Sequence, residues 1–240
     1  MRRAASAGGA TPVPHRGSAM TPEAGLFFAA GFGTRMRPLT LTRPKPLIRV
    51  GDRTLLDHAL AQGTGLARRV VNAHYLAEQI TAHLAERDVR VSIEAPDILD
   101  TGGGLRHALP MLGPGPVFTL NTDAVWDGPS PLQVLSEAWD PVEADALLLC
   151  IPRDAALGHA GRGDFLTDAK GRLHYGPGAV YTGAQIVAPE ALDGIPGPVF
   201  SMRAVWDRLI ARGRLRGLLY PGRWCDVGRP ENLALAETLL

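Results

Sequence analysis

Short apolar runs alternate with amphipathic stretches along most of the chain, from Gly25 onward. Leu26–Ala30 and Pro116–Leu120 have the composition of buried strands, whereas Leu55–Gly63 and Leu76–Glu86 have the apolar spacing of helices that cover a sheet. Strands separated by helices need crossover connections, which produce a mostly parallel sheet. We therefore expect an α/β fold with a Rossmann-like, doubly wound, mostly parallel sheet.

The length of 240 residues allows one large domain, which we assign to residues 23–240. Residues 1–22 are rich in Ala, Gly, Ser and Pro and lack the apolar core of a signal peptide. We expect a disordered N-terminal extension there, with Met20 as an alternative start. Glycines and polar residues dominate 153–178, which predicts a loop-rich segment.

The composition excludes several classes of partner and of fold. A formal net charge of +1 and 20% charged residues give no global attraction for nucleic acid or for a membrane surface, so an anion site must be local. No apolar run approaches the ~20 residues that span a bilayer. The two cysteines are far apart and form neither a disulfide framework nor a Cys/His metal motif, so we expect a cytoplasmic protein.

The most informative segment follows the first predicted strand. The strand ends at Ala30, and Gly31 and Gly33 allow the backbone to turn sharply, so that successive N–H groups can surround an anion. Arg35 adds a planar, permanently charged group that suits phosphate oxygens. Lys45 stands between two prolines, which stiffen the backbone around it. This segment predicts a phosphate site.

Two common phosphate motifs are excluded. The sequence lacks GxxxxGK[ST], and the dinucleotide motif GxGxxG would need glycine where Met36 stands. A Gly-x-Gly turn alone favours a purely structural role. The combination of this turn with Arg35 and the Pro-Lys-Pro segment is a far more specific indication of a phosphate site than the turn alone.

Residues 26–50 resemble the signature of the sugar nucleotidyltransferases, and three later segments extend the similarity: Asp100–Gly104, Asn121–Asp123 and Trp224–Gly228. The resemblance implies a GT-A-like single domain that couples a nucleoside triphosphate to a sugar 1-phosphate. Within this family the chain resembles the short branch that transfers a uridylyl group from UTP to N-acetylmuramate 1-phosphate in cell-wall recycling. Arg162–Phe165 also favours that branch.

The resemblance implies a role for each matching residue. The nucleotide would be bound by a loop, two basic side chains and a second glycine pair, in the order Gly31, Gly33, Thr34, Arg35, Lys45, Gly102 and Gly103. Arg35 and Lys45 would act on the phosphates during catalysis. The resemblance further assigns Mg²⁺ to Asp123 and Asp226, and the sugar phosphate to Gly163 and Gly183. The oligomeric state stays open.

Each assignment has a simpler alternative. Asp123 follows a predicted strand, where open α/β sheets place their sites, but an aspartate there is also common in turns and helix caps. Without the resemblance, Asp226 would be interpreted as an ordinary carboxylate in a loop, and only the resemblance pairs it with Asp123. Asn72 and His74 favour structural roles. Arg37 fits a phosphate contact and a solvated charge equally well.

One departure weakens the sugar assignment more than the chemistry. Thr122 stands where many relatives have glycine, and we expect its larger side chain to change how closely the substrate approaches. The alternative acceptors are mannose or glucose 1-phosphate, with GTP, UTP or dTTP as donor. A non-catalytic nucleotide-sugar sensor is the alternative outside enzymes, but such a protein should lose Lys45 or a metal-binding aspartate, and both are present.

Overall fold

The computed structural model describes residues 21–240, so the disordered extension expected at residues 1–22 lies, apart from residues 21 and 22, outside the described part of the chain. The strands within it are β1 (Ala24–Phe28), β2 (Arg49–Val50), β3 (Arg53–Thr54), β4 (Arg68–Ala73), β5 (Arg90–Ile93), β6 (Val117–Asn121), β7 (Ala124–Asp127), β8 (Ala146–Ile151), β9 (Ala156–Leu157), β10 (Phe165–Thr167), β11 (Leu173–Tyr175), β12 (Val180–Val187), β13 (Leu215–Leu219) and β14 (Arg223–Asp226). The α-helices are α1 (Leu55–Gln62), α2 (Ala77–Leu84), α3 (Asp100–Leu112), α4 (Pro131–Ala138), α5 (Met202–Ala211) and α6 (Asn232–Glu237).

Over residues 21–240, a seven-stranded sheet with the order β13-β8-β12-β6-β1-β4-β5 forms the centre of the molecule. β1 pairs in parallel with β4 and β6, β4 with β5, and β8 with β13. β12 is antiparallel to both of its neighbours. The expected single-domain α/β fold with a mostly parallel sheet is confirmed.

Helices cover both faces of this sheet. Leu56 of α1, Ile80 of α2 and Leu135 of α4 pack in one buried cluster, whereas Leu105 of α3 and Val205 of α5 pack in a cluster on the opposite face. Between these layers, all six residues of β8 are buried, as expected for a continuous apolar run in a central strand. The arrangement is doubly wound.

A smaller sheet lies outside the central one. It has the order β7-β14-β9, with β7 directly following the end of the central strand β6. Beneath it, an apolar cluster joins Met36, Ile48, Val125, Cys225 and Val227. This cluster fastens the glycine turn, the Pro-Lys-Pro segment and the last strand to one another.

The structure differs from the sequence prediction in the start of α3, in the segment 153–178, and in β7 and β14. The helix expected at Gly104–Leu109 begins at Asp100, because the glycines before it pack against neighbouring backbone and side chains instead of forming a loop. The segment 153–178 contains three short strands, β9 to β11. β7 and β14 were not predicted, because each has only four residues and no clear alternation.

Candidate active site

The C-terminal ends of β1, β4, β5 and β6 meet at one edge of the central sheet, the place where open α/β sheets bind ligands. A cavity of about 320 Å³, which we call the first cavity, lies there. The residues that line it and carry the argument are Gly31, Gly33, Thr34, Arg35, Lys45, Asn72, Glu94, Asp100, Thr101, Asn121, Thr122, Asp123 and Gly228.

The loop after β1 has the tight turn that its glycines predict. Gly33 has φ +60°, and a Cβ atom there would lie 2.9 Å from the side chains of Lys45 and Thr40. The Thr40 hydroxyl donates to the Gly33 carbonyl at 2.8 Å, and Thr34–Met36 continues as a short 3-10 turn. Glycine is therefore required here both by the left-handed backbone and by its contact with Lys45.

Lys45 is held in a stiff segment. Pro44 and Pro46 are buried on either side of it, and Lys45–Leu47 forms a second 3-10 turn. Its Nζ atom donates to Asp123 Oδ2 at 2.8 Å, with the lysine side chain 12% exposed and the aspartate 32% exposed. The ammonium group thus points into the first cavity, toward the end of β6.

The backbone brings the two aspartates together. β14 runs antiparallel to β7, which places Asp226 opposite Ala124, the residue after Asp123. The Val227 N–H donates to the Asp123 carbonyl at 2.8 Å. Two carboxylates that are far apart in the sequence therefore stand at neighbouring positions of adjacent strands.

The electrostatic environments of these carboxylates differ. Burial by itself raises the pKa of Asp123, but the charge and hydrogen bond of Lys45 and the charge of Arg35 outweigh it and hold the pKa below its ordinary value of 3.8. Burial and the nearby charge of Asp123 raise the pKa of Asp226 above the same value, against the smaller opposing effects of Lys45, Arg35 and His159. The nearby cations therefore outweigh burial at Asp123 but not at Asp226.

Gly228 marks where the cations and carboxylates converge. A Cβ atom at Gly228 would lie 3.1 Å from both carboxylate oxygens of Asp226 and 3.4 Å from Nη1 of Arg35. Arg35, Lys45, Asp123 and Gly228 therefore line one cavity, and Asp226 lies directly beside Gly228 at its edge. Their individual roles stay predictions.

Gly102 and Gly103 are not among the residues that line the first cavity, although the preceding Thr101 is. Both N–H groups donate to the Phe200 carbonyl at 2.9 Å. A Cβ atom at Gly102 would lie 2.4 Å from the Phe200 ring, and one at Gly103 would lie 2.2 Å from the Pro198 carbonyl oxygen. This close packing of α3 is a structural reason for both glycines, and their predicted contact with the nucleotide stays a prediction.

The two glycines assigned to the sugar phosphate are placed differently from each other. Gly183 has φ +88° at an irregularity of β12, and a Cβ atom there would lie 2.7 Å from the side chain of Asn121, which lines the first cavity. Gly163 has φ +94° and packs against Gly178, at the edge of a different cavity. The structure does not bring these two glycines to one cavity.

A buried hydrogen-bond network at the first cavity was not predicted. Asn72 accepts from the Ala29 N–H at 2.7 Å and donates to Glu94 Oε1 at 2.6 Å, and Glu94 Oε2 accepts from the Leu99 N–H at 2.7 Å. The structural role expected for Asn72 agrees with these bonds. Glu94 could have been found from the sequence, because it is a carboxylate at the end of an alternating strand pattern.

Thr122 directs its hydroxyl away from open space. The Oγ1 atom donates to the Phe28 carbonyl at 2.7 Å, and the residue is 3% exposed. This bond joins the ends of the neighbouring strands β6 and β1. A threonine at this position therefore fixes the segment that carries Asp123.

The fold and this edge-of-sheet site are those of a nucleotidyltransferase, and the chain belongs to the family of the MobA-like NTP transferase domain, whose model matches residues 25–218. The chain is 38% identical to N-acetylmuramate alpha-1-phosphate uridylyltransferase of Caulobacter vibrioides, over 91% of this chain and 97% of that protein. It is 32% identical to the protein of the same name from Neisseria meningitidis serogroup B, over 89% of this chain and 96% of that protein. Mannose-1-phosphate guanylyltransferases from plants and fungi match at lower identity.

Solved structures agree on the fold. The inositol-1-phosphate CTP transferase from T. maritima superposes with a TM-score of 0.73 at 15% identity, over 92% of this chain and 96% of that one. The resemblance to the sugar-1-phosphate nucleotidyltransferases is confirmed by the relatives and by the family match. None of the helices in residues 21–240 has the length and apolar character needed to cross a membrane.

Proposed function

We propose that this protein transfers a uridylyl group from UTP to N-acetylmuramate 1-phosphate and releases pyrophosphate. The observation that carries the proposal is the convergence of Arg35, Lys45, Asp123 and Asp226 at the edge of the sheet. The names of the two relatives above 30% identity supply the donor and the acceptor. Nucleotide-sugar formation for peptidoglycan recycling in the cytoplasm is part of the same proposal.

The reaction joins two anions. An oxygen of the sugar phosphate forms a bond to the α-phosphorus of UTP, and the bond from that phosphorus to the oxygen bridging the β-phosphorus breaks. Pyrophosphate leaves with the electron pair. Because the attacking phosphate is already ionised at neutral pH, the reaction needs alignment and charge neutralisation more than it needs a general base.

The residues of the first cavity suit this need. The loop around Gly31 and Gly33 would present backbone N–H groups to the triphosphate, and Arg35 would bind its oxygens through a planar donor group. Lys45, fixed between two prolines, would exchange its contact with Asp123 for one with the α-phosphate. Its position would then be set before the substrate arrives, which lowers the cost of ordering it in the transition state.

Asp123 and Asp226 fit a magnesium ion. Both offer hard carboxylate oxygens at neighbouring positions of adjacent strands, and a cation between them would reduce the repulsion from Asp123 that helps to raise the pKa of Asp226. Within residues 21–240, no group of three or more His, Cys, Asp or Glu side chains is arranged to hold a metal ion. Two carboxylates suffice for Mg²⁺, which keeps water ligands and takes others from substrate phosphates. When bound, the ion would neutralise phosphate oxygens during transfer.

Pyrophosphate release tests the proposal. The purified protein is incubated with Mg²⁺, each nucleoside triphosphate in turn and a panel of sugar 1-phosphates. We expect release with UTP and N-acetylmuramate 1-phosphate. Release only with GTP and mannose 1-phosphate would select the alternative suggested by the more distant relatives, and a protein that binds nucleotides without releasing pyrophosphate from any pair would be a sensor.

A further inference from the structure

A second cavity lies beside the hairpin of β10 and β11. Its volume is about 420 Å³, and its lining includes Arg162, Asp164, Tyr175, Arg203 and Trp206. None of the residues that line it also lines the first cavity. The second cavity is therefore separate from the one that Arg35, Lys45 and Asp123 line.

Aromatic side chains build the frame of this cavity. The rings of Phe165 and Tyr175 are stacked with centroids 5.3 Å apart, and Trp206 meets Tyr181 edge-on at 5.0 Å. Phe165 is buried and also contacts Trp206 at 5.8 Å. Such packed aromatic pairs hold one another in place, so the cavity has rigid apolar walls.

The two arginines have donors left for a ligand. The guanidinium of Arg203 lies 4.4 Å from the centre of the Tyr175 ring, a stacking that fixes its plane and leaves its edge free. Neither Arg162 nor Arg203 forms an ion pair with any carboxylate of residues 21–240. Both arginines are exposed at the cavity surface.

The two neighbouring acids already have partners. Asp164 Oδ2 accepts from the Tyr181 N–H at 2.9 Å, and Asp207 Oδ1 accepts from the Tyr175 hydroxyl at 2.7 Å. Asp164 also lines the cavity, so it reduces the positive potential there without occupying either guanidinium. The cavity therefore combines apolar walls with cationic donors, a combination that suits a small ligand with both an apolar face and a carboxylate.

The second cavity adjoins the first through the start of α5. The Met202 N–H donates to Thr101 Oγ1 at 2.9 Å, and Thr101 lines the first cavity, whereas the next residue, Arg203, lines the second. β12 makes a second connection, because Tyr181 lines the second cavity and Gly183 contacts Asn121 of the first. The two cavities are therefore neighbours along α5 and β12.

We propose that the second cavity selects an acidic sugar, with Arg162 and Arg203 binding a carboxylate on a substituent of the sugar 1-phosphate. The inference rests on the proposed function, because it takes the phosphate of the same acceptor to lie in the first cavity. The lactyl ether of N-acetylmuramate carries such a carboxylate, and N-acetylglucosamine 1-phosphate is the matching sugar without it. The arginines are specificity residues that do not contact the reacting atoms.

The experiment compares kcat/KM for these two acceptors with UTP. We expect R162Q and R203Q each to lower the preference for N-acetylmuramate 1-phosphate on the order of ten- to a hundredfold, which corresponds to losing one charge-assisted hydrogen bond. The loss should be mainly in KM, and R203K should recover part of it because the charge is retained. R212Q, at the exposed C-terminal end of α5, is the matched control and should leave the preference unchanged.

The outcomes separate the two proposals. If the wild type uses N-acetylmuramate 1-phosphate but R162Q and R203Q keep its preference, the arginine site is wrong and the proposed function stands. Equal losses for both acceptors would mean a general structural role and would also overturn the site. A wild type that uses only neutral sugar 1-phosphates would overturn both the site and the proposed acceptor.

Discussion

The two halves of the site are held in different ways. Residues 24–123 supply Lys45 and Asp123 from the central parallel sheet and from a loop stiffened by glycine and proline. Residues 153–228 supply Asp226 from a small outer sheet, and the second cavity from a hairpin. We assign the phosphate chemistry to the first half, and one metal-binding carboxylate and the choice of acceptor to the second. The largest losses of turnover should therefore follow from changes in the first half.

Lys45→Ala is the most damaging change that we predict. It removes the cation that is bonded to Asp123 and stands at the end of β6, so kcat should fall by at least the order of 10²–10³. Lys170→Ala is a matched control, because Lys170 is the second of the two lysines within residues 21–240 and lies on an exposed turn. Pyrophosphate release and thermal unfolding should show an inactive, folded Lys45→Ala protein. A folded variant with the wild-type rate would contradict the assigned role.

Asp226→Asn tests the contribution of the second half to metal binding. The change removes one of the two carboxylates and its repulsion with Asp123. We expect the Mg²⁺ concentration that gives half-maximal turnover to rise at least on the order of tenfold, with a matching loss in direct Mn²⁺ binding. Asp127→Asn, at the other end of the pairing between β7 and β14, is the control. An unchanged metal requirement would remove Asp226 from the ion site.

Much of the first half can be predicted from the sequence, because its strands are continuous apolar runs and its turn chemistry is local. The prolines act on their neighbour Lys45, and Gly33 acts on its own turn and on Thr40 and Lys45 in the same segment. The pairing of Asp226 with Asp123 depends instead on β7 and β14, two short strands whose composition does not distinguish them from loops. Only the resemblance to a family could place these carboxylates together. Gly102 shows the opposite limit, because a motif glycine can be explained by close packing against Phe200.

Asn232→Ala tests what keeps Asp226, the carboxylate of the second half, in position. The buried Asn232 Nδ2 donates to the Asp226 carbonyl at 2.9 Å and to the Gly158 carbonyl at 3.0 Å, which ties β14 to the loop after β9. Leaving these carbonyls without a donor should cost about 1–3 kcal/mol of stability and lower the Tm by roughly 2–4 °C per kcal/mol. Because Asn232 positions Asp226 without touching substrate, the half-saturating Mg²⁺ concentration should also rise, by less than in Asp226→Asn. Loss of stability with no change in the metal requirement would limit Asn232 to a structural role.

The smallest effect should come from Asp57→Asn, a change in the first half but outside the first cavity. Asp57 accepts from the Thr54 N–H in a capping box at the start of α1, and also from His83 and Arg87. Burial of the side chain raises the pKa of Asp57, but these hydrogen bonds together outweigh burial and hold the pKa below its ordinary value of 3.8. A lowered pKa stabilises the folded state above pH 3.8, and this contribution is lost as the pH falls further.

The variant should therefore be less stable than the wild type by about 1 kcal/mol at pH 7, and the difference in Tm should shrink as the pH is lowered below 3.8. Thermal unfolding at pH 7 and at a pH below 3.8 measures this difference in Tm. At pH 7 the kcat/KM of the variant should match that of the wild type. A difference in Tm that grows at low pH would mean that the carboxylate of Asp57 is not the stabilising form. A loss of kcat/KM would mean that a change in the packing of α1 alters the position of Lys45. The two flanking prolines would then not be enough to hold Lys45 in place.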